Sequence, residues 1–175
     1  MMFQGRAELD ERPNRTSVSM STCVAAPASV VFDVLTQPVN HHRIDGSHMI
    51  RGVAGEEEDP IREVGATFSM RMRQVVPYRS VNTVVDFRPG LRLAWQTWNQ
   101  LAGRRVIGGQ IWSYDLEPVA PGITEVVQTY DWSEARHPWV IRVGAYPERM
   151  GAAMAETLHR LATVATSDPS GSTPS

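Results

Sequence analysis

Residues 147–166 read PERMGAAMAETLHRLATVAT, from Pro147 to Thr166. On a helical wheel with Met150 at the origin, Met150, Ala153, Met154, Thr157, Leu158, Leu161, Val164 and Ala165 fill one broad arc. Glu148, Arg149, Ala152, Glu156, His159, Arg160 and Thr163 fill the opposite one. A helix of about twenty residues spans roughly 30 Å, enough to cross a small domain. An apolar face that wide has to be buried, and the chain upstream reads as a sheet to bury it against.

Working back from the helix, the hydrophobic period is two. Ile123–Trp132 puts Val126, Gln128 and Tyr130 on one face, and Val106–Glu117 does the same for Gln110, Trp112, Tyr114 and Leu116. Gly108 and Gly109 fall inside that second strand and read as a bulge or bend. Leu91, Leu93, Trp95 and Thr97 make a further strand with Asn99–Gly103 as its polar, mobile exit, and Val81, Thr83, Val85 and Phe87 line the one before it. Pro89-Gly90 supplies a fixed φ and a permissive φ for the turn between them. Phe68, Met70 and Met72 alternate with Ser69, Arg71 and Arg73, giving a strand with one dry face and one wet face. Ser47–Ala54 is another strand, followed by the acidic run Glu56–Asp59. At the start, Thr16–Val24 alternates Val18, Met20, Thr22 and Val24 with serines and Cys23. Pro27 then fits the first turn of a short helix carrying Val30, Val31, Val34 and Leu35, and Pro38 ends it or joins it to a second turn through Ile44. Seven strands, two short helices after the first strand and one long terminal helix predict an antiparallel α+β fold.

At 175 residues the chain suits one domain, expected over residues 16–166. Met1–Arg15 reads as a flexible charged arm, and Ser167–Ser175, with two prolines and four serines, as a disordered tail. Seventeen basic side chains against 19 acidic ones give a net charge of −2, which argues against nucleic acid as a partner. The lone Cys23 allows neither an intrachain disulfide nor a cysteine zinc cage, and suits a reducing cytoplasm. No segment approaches the roughly 18 apolar residues of a membrane span, and the first residues hold no apolar run for a signal peptide. A soluble, cytoplasmic protein, monomeric or dimeric and without stable membrane insertion, is therefore expected.

Four stretches carry a family resemblance. Ala26–Thr36, APASVVFDVLT, resembles the opening helix of the START-like (SRPBCC) superfamily, in its polyketide cyclase/dehydrase and lipid-transport branch. Pro121–Val126, PGITEV, is similar to that superfamily's turn into its last strand. Ile44-Asp45-Gly46-Ser47 and Tyr130-Asp131-Trp132-Ser133 resemble motifs of a bacterial, often actinobacterial, group within it. The resemblance runs from Thr16 to Thr166 and implies a helix-grip fold, in which a strongly curved sheet wraps the terminal helix and leaves a cavity for an apolar molecule. One position departs from it: the residue after Ser47, often glycine in that group, is His48.

On this reading the candidate ligand-binding residues are Phe68, Met70, Met72, Trp95, Gln110, Trp112, Tyr114, Gln128 and Tyr130 on the sheet, and Met150, Gly151, Met154 and Ala155 on the helix. Flat rings and pliable thioethers suit irregular apolar ligands, and they equally suit a closed core. Gln110 and Gln128 sharpen the case, because an amide on an inner face has to find a partner. Leu158, Leu161, Val164 and Ala165 should anchor the helix, while Gly151 and Ala155 keep its first half open.

His41, His42 and His48 crowd one stretch with Asp45, but without a helical pair or a cysteine they read as a solvated loop at the pocket mouth, not a metal site. No metal or other cofactor is expected. No phosphate-binding glycine loop and no local nucleophile–base signature is present, so no catalytic residue is assigned; Tyr114, Tyr130 and Asp131 are the first to examine. The expected function is binding or carriage of a small hydrophobic ligand, a lipid, isoprenoid or polyketide-like ring. The alternatives are a cyclase, aromatase or dehydratase acting in the same cavity, and a protein-interaction module using Trp98, Trp132 and Trp139.

Overall fold

The structure is a computed structural model that describes residues 7–8, 16–55, 59–101, 104–139 and 146–167. Its strands are β1 (Ala7–Glu8), β2 (Ser17–Val24), β3 (Ile50–Val53), β4 (Thr67–Arg73), β5 (Pro77–Arg88), β6 (Arg92–Leu101), β7 (Arg104–Ala120) and β8 (Ile123–Asp131). Between β2 and β3 come α1 (Ala28–Thr36), a single-turn helix (Pro38–Asn40) and α2 (His41–Ile44); the last described element is α3 (Tyr146–Ser167). The strands form one antiparallel sheet in the order β1-β2-β8-β7-β6-β5-β4-β3. It is the expected helix-grip arrangement, a curved sheet around the C-terminal helix, with the two-residue β1 added beside Met20 and Ser19. The rest of the N-terminal arm, Glu56–Glu58 of the acidic loop and the tail from Asp168 onward lie outside the described residues.

Register shifts bend the sheet between Ile50 and Gly52, Val84 and Asp86, Thr97 and Trp98, and Pro118 and Ala120. The bulge foreseen at Gly108-Gly109 sits in β7, where Thr97 pairs with Gln110 but Trp98 pairs with Gly108. Gly109 has φ 95°, and a Cβ there would run into the Glu134 carbonyl. The segment after β8 crosses at this point, with the Arg136 amide donating to the Gly108 carbonyl at 3.0 Å.

The core has two parts. The larger holds Val24, Val31, Leu35, Val84, Leu93, Val126, Leu158, Leu161, Val164 and Ala165. The smaller holds Val18, Tyr130, Trp132, Ala135, Met150 and Met154. The C-terminal half of α3 is therefore the anchored half, as its leucines predict. Fully burying one such leucine contributes about 1.5–3 kcal/mol.

Three sequence expectations are corrected. Asn99, Gln100 and Leu101 are paired strand in β6, so the first part of the polar exit expected at Asn99–Gly103 is not a mobile loop; Ala102 and Gly103 lie outside the described residues. Trp132 is buried in the smaller core, and the Trp98 ring lies under the Arg105 guanidinium at 5.5 Å; Trp139, at 66% exposure, is the open one of the three tryptophans. The inner face of β5 is carried by Ser80, Asn82 and Val84, all buried, while Val81, Thr83 and Val85 face the other way. The Val84/Asp86 bulge then returns Phe87 to the core, edge-on to Phe32 at 5.5 Å.

Candidate functional site

Between the inner face of the sheet, the α2–β3 connection and the first half of α3 lies a cavity of about 170 Å³. The sheet register arranges its floor in cross-strand rows. Trp95, Trp112 and Tyr130 stand side by side on β6, β7 and β8, an aromatic row. On one side of it runs Asn82–Thr97–Gln110, and on the other Tyr114–Gln128. Polar rows thus flank an aromatic one. Trp95 stacks on Tyr114 with centroids 5.7 Å apart, and Trp112 leans on Tyr130 at 4.5 Å. Met70, Met72 and Phe68 come from β4, and Met150 and Met154 from α3.

Eleven of the thirteen residues expected at the site line this cavity: Phe68, Met70, Met72, Trp95, Gln110, Trp112, Tyr114, Gln128, Tyr130, Met150 and Met154. Gly151 and Ala155 do not. They sit about 100° and 140° around the helix from Met150 at helical pitch, which turns them away from the sheet. Ala155 is exposed, and a Cβ on Gly151 would meet nothing within 4 Å. The small residue on the cavity side is Ala153, next to Thr157.

The structure also brings in residues that the sequence pattern passed over. Ser80, Asn82 and Thr97 belong to the wall, with Thr97 Oγ1 donating to Asn82 Oδ1 at 2.8 Å. His41, expected in a solvated loop, is 4% exposed in α2. Its Nε2 donates to the Leu35 carbonyl at 2.8 Å, its ring stacks on Trp95 at 5.3 Å, and the Phe68 edge meets it at 5.2 Å. Burial holds this imidazole below its ordinary value, against the opposing pull of the Leu35 carbonyl and the Asp45 charge, so it is neutral near pH 7.

Asp45 is also buried. Its carboxylate accepts from the Ser47 amide at 2.9 Å, the Ser47 hydroxyl at 2.6 Å and the Ile50 amide at 2.8 Å. This Asx-type turn presses Gly46 against α3, where the Gly46 amide donates to Thr157 Oγ1 at 2.9 Å. A side chain at position 46 would collide with the Ala153 carbonyl. His48, the departure from the family pattern, has φ 57°, the left-handed region that glycine enters without steric cost.

Beyond this turn a second recess shares Ser47, Met49, Met150 and Ala153 with the cavity and is bordered by Arg51, Arg73 and Arg149. This second recess is therefore basic, while the lining of the inner cavity contains neither lysine nor arginine among the described residues.

Two buried carbonyl oxygens, Gln110 Oε1 and Gln128 Oε1, have no hydrogen-bond partner among the described residues. Gln128 Nε2 donates to the Tyr114 hydroxyl at 2.8 Å. Burial pushes the Tyr114 phenol well above its usual range, the Asp45 charge adds to this, and the Gln128 bond opposes it. Tyr114 is thus a neutral donor across the physiological range. No group of three or more His, Cys, Asp or Glu able to hold a metal ion occurs among the described residues. Among the same residues, no helix is long and apolar enough to cross a membrane.

The sequence profile of a family described as polyketide cyclase / dehydrase and lipid transport matches residues 15–166. Two curated relatives from Mycobacterium tuberculosis strains, the uncharacterized proteins Rv0088 and MT0096, are each 31% identical over 128 residues, covering 73% of this chain. The chain spans about half, 51%, of the length of these relatives. Among solved structures, a protein from Arthrobacter aurescens superposes with a TM-score of 0.68 at 14% identity, covering 91% of each chain. One from Rhodobacter sphaeroides gives 0.65 at 15% identity over 95% of this chain and 99% of its own. Ms6760 from Mycobacterium smegmatis gives 0.63 at 11% identity over 92% and 98%. At these identities the structural likeness concerns the fold.

Proposed function

Because the chain belongs to the polyketide cyclase/dehydrase and lipid transport family, we propose that residues 16–166 form a domain that binds and carries a small hydrophobic molecule of lipid, isoprenoid or polyketide-like type. The observation that carries this reading is the cavity walled by Phe68, Trp95, Trp112, Tyr130 and the methionines of β4 and α3. Rings and thioethers offer a large polarizable surface to an apolar guest, and a few fixed polar groups set its orientation. The eleven lining residues named above are the proposed contacts; Gly151 and Ala155 are not among them. Native mass spectrometry of protein purified from its own host should reveal a bound small molecule. A clean apo species that also ignores a panel of lipids and aromatic compounds would sink the proposal.

A second reading, an enzyme of the cyclase, aromatase or dehydratase kind, is favoured by one observation. A neutral imidazole and a protonated phenol, His41 and Tyr114, border the same cavity as complementary proton acceptor and donor. It requires that Tyr114→Phe lower turnover of a bound substrate while leaving its affinity nearly intact. Equal loss of both would leave binding alone.

A further inference from the structure

We infer that the cavity selects an uncharged, flat molecule bearing hydrogen-bond donors at both ends, a diol of a fused aromatic or similarly planar ring system, and discriminates against anionic apolar ligands such as fatty carboxylates. This deepens the binding function proposed above and rests on it.

The first ground is the pair of orphaned acceptors. Gln110 is 8% exposed and Gln128 3%, both line the cavity, and each has a carbonyl oxygen without a partner among the described residues. A buried acceptor left unpaired carries its full desolvation penalty, so a guest that donates to it gains more than one that does not. The second ground is their placement. Gln110 and Tyr114 are four residues apart on β7, roughly 13 Å at strand pitch, and Gln128 lies directly opposite Tyr114. Trp112 stands between the two ends with Tyr130 beside it. A flat ring system lying over this aromatic row would present its two ends to the two amides.

The Tyr114 hydroxyl accepts from Gln128 Nε2, which leaves its own proton to donate. The Gln128 end therefore offers an acceptor and a donor together, the complement of a hydroxyl. A hydroxyl satisfies this end in either orientation of the Gln128 amide, because it both donates and accepts.

The third ground is charge. Among the described residues, the inner lining has no lysine or arginine, His41 is neutral, and the one formal charge is the Asp45 carboxylate. A carboxylate brought into this interior would be desolvated without a counter-ion and beside a like charge. The arginines that could hold it, Arg51, Arg73 and Arg149, belong to the outer recess. The polar inner face of β5 fits the same picture, since Ser80 and Asn82 stand where a simple apolar core would place valines.

The test is a matched series titrated by calorimetry into the full chain: naphthalene-2,6-diol, 2,6-dimethoxynaphthalene and naphthalene-2,6-dicarboxylate. The fused ring is constant while donor capacity and charge change; the added bulk of the ether and carboxylate ends is controlled by the glutamine variants. The diol should bind at least about tenfold more tightly than either analogue. Gln110→Met and Gln128→Met should each reduce its advantage over the dimethyl ether about threefold to tenfold, while binding of the ether stays level or improves. An ether that binds as well as the diol, a dicarboxylate that displaces the diol at equal affinity, or a preference unchanged in both variants would each overturn the inference and leave the binding function standing. Absence of binding by all three compounds, together with a failed lipid panel, would overturn both.

Discussion

His41 donates its Nε2 proton to the Leu35 carbonyl and is packed between Trp95 and Phe68, so a second proton on the ring would be poorly solvated. Its folded pKa lies below the ordinary 6.5, with burial as the cause and the Asp45 charge opposing it. When the unfolded chain binds a proton that the native protein resists, stability rises with pH. The contribution of His41 is therefore fully present above the unfolded value of 6.5 and lost as pH falls through it towards the folded value. The melting temperature should drop between about pH 7 and pH 5. In His41→Gln, where an amide can still donate to Leu35, that part of the drop should disappear. A thermal-unfolding series at several pH values reads both, and an identical slope in the variant would show that other groups set the dependence. The role was not legible in the sequence. His41 stands beside His42 and near His48, and three histidines in a short span suggest a solvated loop; only the turn of α2 separates a buried ring from an exposed one.

At the scale of the element, α3 divides by face as well as by length. Its apolar arc was readable because a 3.6-residue period needs no knowledge of the sheet, and Met150, Met154, Leu158, Leu161, Val164 and Ala165 are all buried. Small size, by contrast, does not tell which way a residue points. Gly151 and Ala155 suggested an open wall, yet the wheel angle places them outside and Ala153 inside. Ala155→Phe should leave the melting temperature and ligand affinity almost unchanged, within about 0.5 kcal/mol. Ala153→Phe should project a ring into the cavity and its mouth and lower affinity at least about tenfold, in keeping with the loss of shared volume. Binding isotherms for the two variants decide this, and equal effects would mean that α3 is not a wall of the ligand site. Strand β5 failed for a related reason. Alternation assigns the apolar set to the inner face, but β-branched residues also suit an exposed sheet surface, as Val81, Thr83 and Val85 do here. The pattern is inverted because the inner side faces a cavity with hydrogen-bonding walls as well as a core.

Across the whole molecule, the ligand space cuts into both cores: Phe68, Met70, Trp95 and Tyr114 of the larger one line the cavity, while the leucines that join it to α3 lie apart from it. The larger core joins α1 to the second half of α3 through Val31, Leu35, Leu158 and Leu161, and these contacts exclude the cavity. The smaller core joins β2, β8 and the segment after it to Met150 and Met154, which also border the cavity. The first half of α3 thus packs partly on space that a guest would fill, while the Gly46–Thr157 bond and the Asp45 turn tie the middle of the helix to the α2–β3 connection. A helix whose halves differ in packing opens locally at different free energies. Amide hydrogen exchange should therefore be slowest over Leu158–Ala165, approaching global unfolding, and faster over Met150–Met154. A cavity-bound ligand supplies the missing contacts to the first half and should slow exchange there more than in the second, beyond the uniform gain that mass action gives to global stability. Protection that is uniform along α3 before and after ligand addition would mean that the helix behaves as one cooperative unit and that the cavity does not set the balance between its halves.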